Sequence, residues 1–112
     1  MEKHINLDKE LLTLAAKAAG YEGIDFENNV DGWYPNFYGD TGEVVAYWNP
    51  LTDDGDALRL AVKLGLVIDA QKDRTWVGKT HYDAVENHGN DPYAATRRAI
   101  VRAASEIGRG ME

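Results

Sequence analysis

The chain has 112 residues, 44% of them apolar and 28% charged, with a formal net charge of −7 and no cysteine. A chain of this length buries roughly 60–70% of the surface that its unfolded form exposes, so it can build a core without covalent staples. The missing cysteine excludes disulfides, thiolate catalysis and cysteine-based zinc sites. The acidic balance argues against direct nucleic-acid binding, because phosphate backbones are gripped by clustered Lys and Arg.

No apolar run approaches the ~20 residues that span a bilayer. The opening MEKHINLDKELL carries charges where a signal peptide needs an apolar core. The expectation is a single domain over residues 1–112, kept in a cytoplasm and away from membranes. Its acidity reads either as solubility or as mimicry of a polyanion for a basic partner. Carboxylates spread along the chain favour solubility.

Asn6 to Ala19 has helical spacing: Leu7, Leu11, Leu14, Ala15 and Ala18 share a face, Asn6 is placed to cap it and Gly20 to stop it. From Tyr21 to Gly42 rings and turn formers mix without a clean period. Gly39-Asp40-Thr41-Gly42 signals a turn, which predicts a hairpin of Trp33–Tyr38 with Glu43–Trp48. Asn49-Pro50 turns the chain. Thr52 then reads as the cap of a helix with Asp53, Asp54 and Asp56 in its first turn, where the macrodipole favours negative charge. Ala57, Leu58, Leu60, Ala61, Val62 and Leu64 give that helix a wide apolar face, Arg59 and Lys63 mark its solvent side, and Gly65 ends it. A strand at Leu66–Ala70, a turn at Lys72-Asp73, a return strand from Arg74 to Tyr82 and a loop at Glu86–Asn90 follow. On the return strand Trp76, Gly78, Thr80 and Tyr82 share one face. Asp91-Pro92 opens the last helix, with Tyr93, Ile100, Ala103, Ala104 and Ile107 as its buried stripe and Gly108 as its end. The predicted class is therefore α+β, in the order helix-hairpin-helix-hairpin-helix, as a small α/β/α sandwich about a mainly antiparallel sheet.

The turn Asn49-Pro50-Leu51-Thr52-Asp53 leading into Ala57–Leu64, the alanine-rich closing segment Asp91–Ala104 and the opening helix Leu7–Ala19 together resemble the phage ABA-sandwich domain, a family of small phage and prophage proteins. The aromatic segment Asp31–Tyr38 departs from that pattern. The resemblance implies an α/β/α sandwich and a bacterial host cytoplasm as its setting. It implies no catalytic activity.

Four constellations could carry chemistry. Trp33, Tyr34, Phe37 and Tyr38 lie among turn formers, and exposed rings of that kind form partner contacts when they are not core. Arg97, Arg98 and Arg102, with Arg109 beyond, could hold an anionic, nucleotide-like ligand stacked on Trp33 or Trp76, or form a solvated face paired with Glu106. His81, Asp83, Glu86 and His88 could converge on a metal ion and make a metal-dependent hydrolase, or be polar residues at a strand end. Asp53, Asp54 and Asp56 could bind a divalent cation but lack the spacing of a calcium loop, and capping accounts for them. Ser105, the only serine, sits within a predicted helix and gives no nucleophile. The leading expectation is a non-enzymatic accessory protein that needs no cofactor and modulates or inhibits a host or phage protein by binding it. Sequestration of a small ligand and metal-dependent hydrolysis are the alternatives. Open sheet edges would also allow copies of the chain to pair.

Overall fold

The computed structural model describes residues 2–29, 32–38 and 44–111, with side chains described for 7–27, 33, 35–37 and 47–111. The elements run α1 (Glu2–Ala18), β1 (Ile24–Asn29), β2 (Gly32–Tyr38), β3 (Val44–Tyr47), α2 (Asp54–Leu64), β4 (Val67–Ala70), β5 (Arg74–Gly78), β6 (Tyr82–Asn87) and α3 (Pro92–Gly110). The strands make two separate antiparallel sheets, β1-β2-β3 and β4-β5-β6. The α+β class and the antiparallel pairing agree with the sequence reading.

The expected order does not hold. Among the described residues each hairpin is a three-stranded meander, and there are two sheets rather than one. One strand escaped because, among its described side chains, Ile24–Asn29 offers only Ile24 and Phe26 to the interior, while Asp25 and Glu27 face water. Charges of that kind are common on sheet edges, where they discourage further pairing. The other escaped because the predicted return strand breaks at Gly78. The chain reverses through Lys79–His81 so tightly that a Cβ on Gly78 would overlap the His81 carbonyl oxygen. It returns as β6, which takes in Glu86 and Asn87 of the predicted loop. The expected turn at Gly39–Gly42 lies outside the described residues.

The helix ends also shift. α1 begins at Glu2, so Asn6 lies inside it rather than capping it. In α2 the cap is Asp53, whose carboxylate accepts the Asp56 N–H at 2.8 Å. Thr52 is displaced because the Asn49 turn comes first: the Asn49 carbonyl accepts the N–H groups of both Thr52 and Asp53. Asp91 caps α3 by accepting from Tyr93 and Ala94, as its sequence predicts. Gly108 is no terminator. It is buried inside α3, where a Cβ would overlap the Leu14 carbonyl oxygen of α1.

α3 is the hub, packing against α1, α2, β5 and β6. Its buried residues Ala99, Ala103, Ala104 and Gly108 are small, which lets α1 approach closely with Leu11, Leu12, Ala15 and Ala16. α2 adds Ala57, Leu60, Ala61 and Leu64, each burial of a leucine being worth roughly 1.5–3 kcal/mol. Of the wide apolar face read from the sequence, Leu58 and Val62 remain exposed. Tyr93, expected in the stripe of α3, is exposed as well; Thr96 turns inward instead, its hydroxyl 2.8 Å from that of buried Thr75. One face of the second sheet, with Val77 and Ala84, lies against α3. The first sheet joins the core through half-buried Ile24, Phe26, Trp33 and Phe37.

Candidate functional site

Trp33 and Phe37 do not stand out from the surface as a loop. β2 pairs with β1 so that Phe37 lies opposite Ile24 and Trp33 opposite Asn28, and both rings pack toward the core. Trp33 meets Phe26 edge-on at 5.5 Å, with the Lys9 ammonium over both rings. The side chains of Tyr34 and Tyr38 lie outside the described residues; the backbone of Tyr34 pairs with Glu27 and that of Tyr38 with Val44.

Phe37 belongs to a different cluster. Its ring lies 5.4 Å from those of Tyr21 and Trp48, and Tyr21 and Trp48 are 5.8 Å apart, the two contacts of Tyr21 being edge-on. These three rings form the floor of an open groove of about 660 Å³, walled by Gly20, Glu22, Tyr47, Asp56 and Arg59. A hollow of about 400 Å³ adjoins it across Tyr47, Trp48 and Asp56, and adds Pro35, Thr52 and Asp53. The groove is built by local chemistry. Gly20, with φ of 78°, releases α1 and throws Tyr21 across the sheet, while the end of β3 delivers Tyr47 outward and Trp48 inward.

The wall on the α2 side is locked. Asp56 accepts the Asn49 N–H at 2.9 Å through one oxygen and an Arg59 N–H at 2.8 Å through the other. The hydrogen bond to Asp56, reinforced by the charges of Asp56 and Asp53, outweighs desolvation and raises the Arg59 pKa above its ordinary value. The ammonium of Lys63 sits 4.6 Å from the centre of the Tyr21 ring. Glu22, Asp53 and Asp56 thus line the joined hollows with Arg59 as the sole base among the lining residues, and an aromatic face here already attracts a cation. Sequence reasoning passed over Tyr21, Tyr47, Trp48 and Arg59, although the aromatics flanking Gly20 and Asn49-Pro50 were a usable signal: rings next to chain reversals are held at the ends of elements.

The arginines of α3 are stitched into the fold. Arg97 donates to the Leu51 carbonyl at 2.9 Å and to Asp54 at 2.7 Å. Arg98 donates to Asp8 of α1 at 2.9 Å and lies 3.9 Å from Glu86. Arg102 donates to Glu86 at 2.6 Å and to the Val85 carbonyl at 3.0 Å. Glu106, expected to pair with them, lies instead 3.6 Å from Arg109, which also approaches Glu10. Each guanidinium ties α3 to another part of the fold. An anionic ligand would have to displace those carboxylates.

The His81–His88 group is dispersed. His81 is 2.9 Å from Asp83 and Glu86 belongs to Arg102. His88 has Nδ1 3.2 Å from the Lys72 carbonyl and Nε2 2.8 Å from the Thr75 hydroxyl. A carbonyl can only accept, so in the neutral ring Nδ1 carries the hydrogen and Nε2 accepts from Thr75, which accepts in turn from Thr96. Asp53, Asp54 and Asp56 are likewise employed, as cap, as partner of Arg97 and as anchor of Asn49. Among the described residues no three His, Asp or Glu side chains are grouped to hold a metal ion, and none of the helices there is long and apolar enough to cross a membrane. Comparison with protein-family models, with curated proteins and with solved structures finds no match to this chain.

Proposed function

We propose that the chain is a non-enzymatic binding protein of the phage ABA-sandwich kind, acting on a host or phage protein through the groove over Tyr21, Phe37 and Trp48. The α/β/α layering belongs to the same proposal. The observation that carries the reading is where the side chains are spent. The arginines, histidines and aspartates that could have done chemistry are held in caps and ion pairs within the fold. What remains for outside use is an aromatic floor beside the Glu22 carboxylate.

The occupant that fits is a protein segment presenting an apolar or aromatic side chain flanked by Lys or Arg. The apolar group would cover the rings, where burial is worth roughly 25 cal/mol per Å². The basic flanks would meet Glu22, and the net charge of −7 would speed the encounter. A nucleotide-like ligand at Arg97, Arg98 and Arg102 has less behind it, because each of those groups already has a carboxylate.

Selection of a random peptide library on the immobilised protein tests the reading. Enriched peptides should share an aromatic or large aliphatic residue beside basic ones, lose binding to the Glu22→Lys and Tyr47→Ser variants, and keep it to Tyr93→Ser. Enrichment indifferent to the groove variants, or none, would sink the proposal.

A further inference from the structure

A second surface, separate from the groove, is built around β4. We infer that β4 is the seam of a homodimer, in which the strand pairs antiparallel with β4 of a second copy and joins the two second sheets into one of six strands. Among the described residues β4 is an edge strand, bonded to β5 on one side only. Long or apolar free edges are normally blunted by charge, proline, bulges or cover. The other edges whose side chains are described show this. β1 carries Asp25 and Glu27, and β6 has Arg102 donating to the Val85 carbonyl beside a register shift. β4, with the sequence Val-Ile-Asp-Ala, has neither lysine nor proline. Its one charge, Asp69, is turned to its own sheet by Tyr82 and Gln71.

The flanks of this edge are apolar. Leu58, Ile68, Ala70 and Tyr93 share a hollow of about 300 Å³ between α2, β4 and the start of α3. Leu58 is 58% exposed, Val62 one helical turn along is 72% exposed, and Tyr93 is 71% exposed. Ile68 and Ala70 on the strand itself, both exposed, add to the patch. A helix that is apolar on two sides is ordinarily covered on both, and α3 covers only one side of α2. Contiguous exposed apolar side chains of this kind mark interaction surfaces.

The partner is a second copy because the surface is complementary to itself. Antiparallel pairing about a two-fold axis centred on Ile68 sets Ile68 opposite Ile68 and Val67 opposite Asp69 of the other chain, with no like charges facing. Two chains of net charge −7 repel elsewhere, so association is directed to the charge-poor patch.

Sedimentation equilibrium from dilute to millimolar protein, with hydrogen exchange of the β4 amides, tests this. The expected result is twice the 12.4 kDa monomer mass, and β4 amides whose exchange slows as concentration rises. Leu58→Glu and Val62→Glu, both at exposed sites, should halve the mass while leaving the circular dichroism unchanged, and Tyr47→Ser should leave the dimer intact. A wild type that stays monomeric overturns the inference. So does a dimer whose β4 exchange is independent of concentration, which stands as a test even if a variant fails to fold, or a dimer that survives both substitutions.

Discussion

Replacing Gly108 with alanine sets two effects of opposite sign against each other. In an exposed helix the change stabilises by up to about 1 kcal/mol, because glycine is the poorer helix former. At Gly108 the new Cβ would overlap the Leu14 carbonyl oxygen and lie 2.8 Å from the carbonyl carbon. Carbon atoms pack best at about 3.5–4.0 Å, so α1 and α3 must separate by roughly 1 Å. That gap forfeits about a quarter to a half of each contact's dispersion energy, along the interface where Leu11 and Ala15 bury against α3. Overpacking of this kind typically costs about 1–3 kcal/mol, sometimes more. The contact involves backbone on both helices, so neither side can yield by a rotamer change, and the cost should fall at or above the upper end. The net expectation is a loss of about 2–3 kcal/mol, or about 10 °C in Tm at the unfolding entropy of a domain this size. Urea unfolding followed by circular dichroism, at one fixed protein concentration, measures it. Gly110→Ala is the control: nothing lies within 4 Å of its Cβ position, and stability should stay within about 0.5 kcal/mol. Equal or greater stability in Gly108→Ala would refute the close helix contact.

Asp56→Ala should cost about 2 kcal/mol in the same assay, since it strips a charged acceptor from the Asn49 N–H and from Arg59. Arg98→Ala leaves the half-buried Asp8 and Glu86 carboxylates short of a cation and should also cost about 2 kcal/mol; a neutral result would mean that Arg98 is spare for a ligand. Asp91→Ala removes the α3 cap, with an expected loss near 1 kcal/mol. Tyr82 is held above the ordinary phenol range by desolvation first, then by the charge of Asp69 and the hydrogen bond to it. The folded state therefore keeps this proton more tightly than the unfolded one. Its contribution to stability is complete below an unfolded pKa of about 10 and is lost as pH rises through the higher folded value. Tyrosinate absorbance should show a late-ionising phase that Tyr82→Phe removes, and retention of that phase in the variant would assign it to another ring.

The helices were legible because their signals are local. Asp91-Pro92 and Gly65 each specify a boundary through the backbone bonds they satisfy. Gly108 shows the limit of that logic: a glycine near a helix end reads as a stop, and only the crossing of α1 shows that it marks a contact. Ile24–Asn29 and Tyr82–Asn87 were missed because both are edge strands with few inward apolar residues. The arginines looked available because their partners Asp8, Asp54 and Glu86 are distant in sequence. The groove was hidden for the same reason, since Tyr21, Phe37 and Trp48 meet only when α1, β2 and the end of β3 come together.

Nuclear magnetic resonance decides between binding in the aromatic groove and ligand capture by the α3 arginines. Isotope-labelled protein is titrated with a selected basic-apolar peptide and, in parallel, with a nucleoside triphosphate. The peptide should shift resonances at Tyr21, Phe37, Trp48 and Arg59, and the nucleotide none at Arg97, Arg98 or Arg102. Nucleotide-induced shifts at those arginines, with the groove silent to the peptide, would contradict binding in the groove.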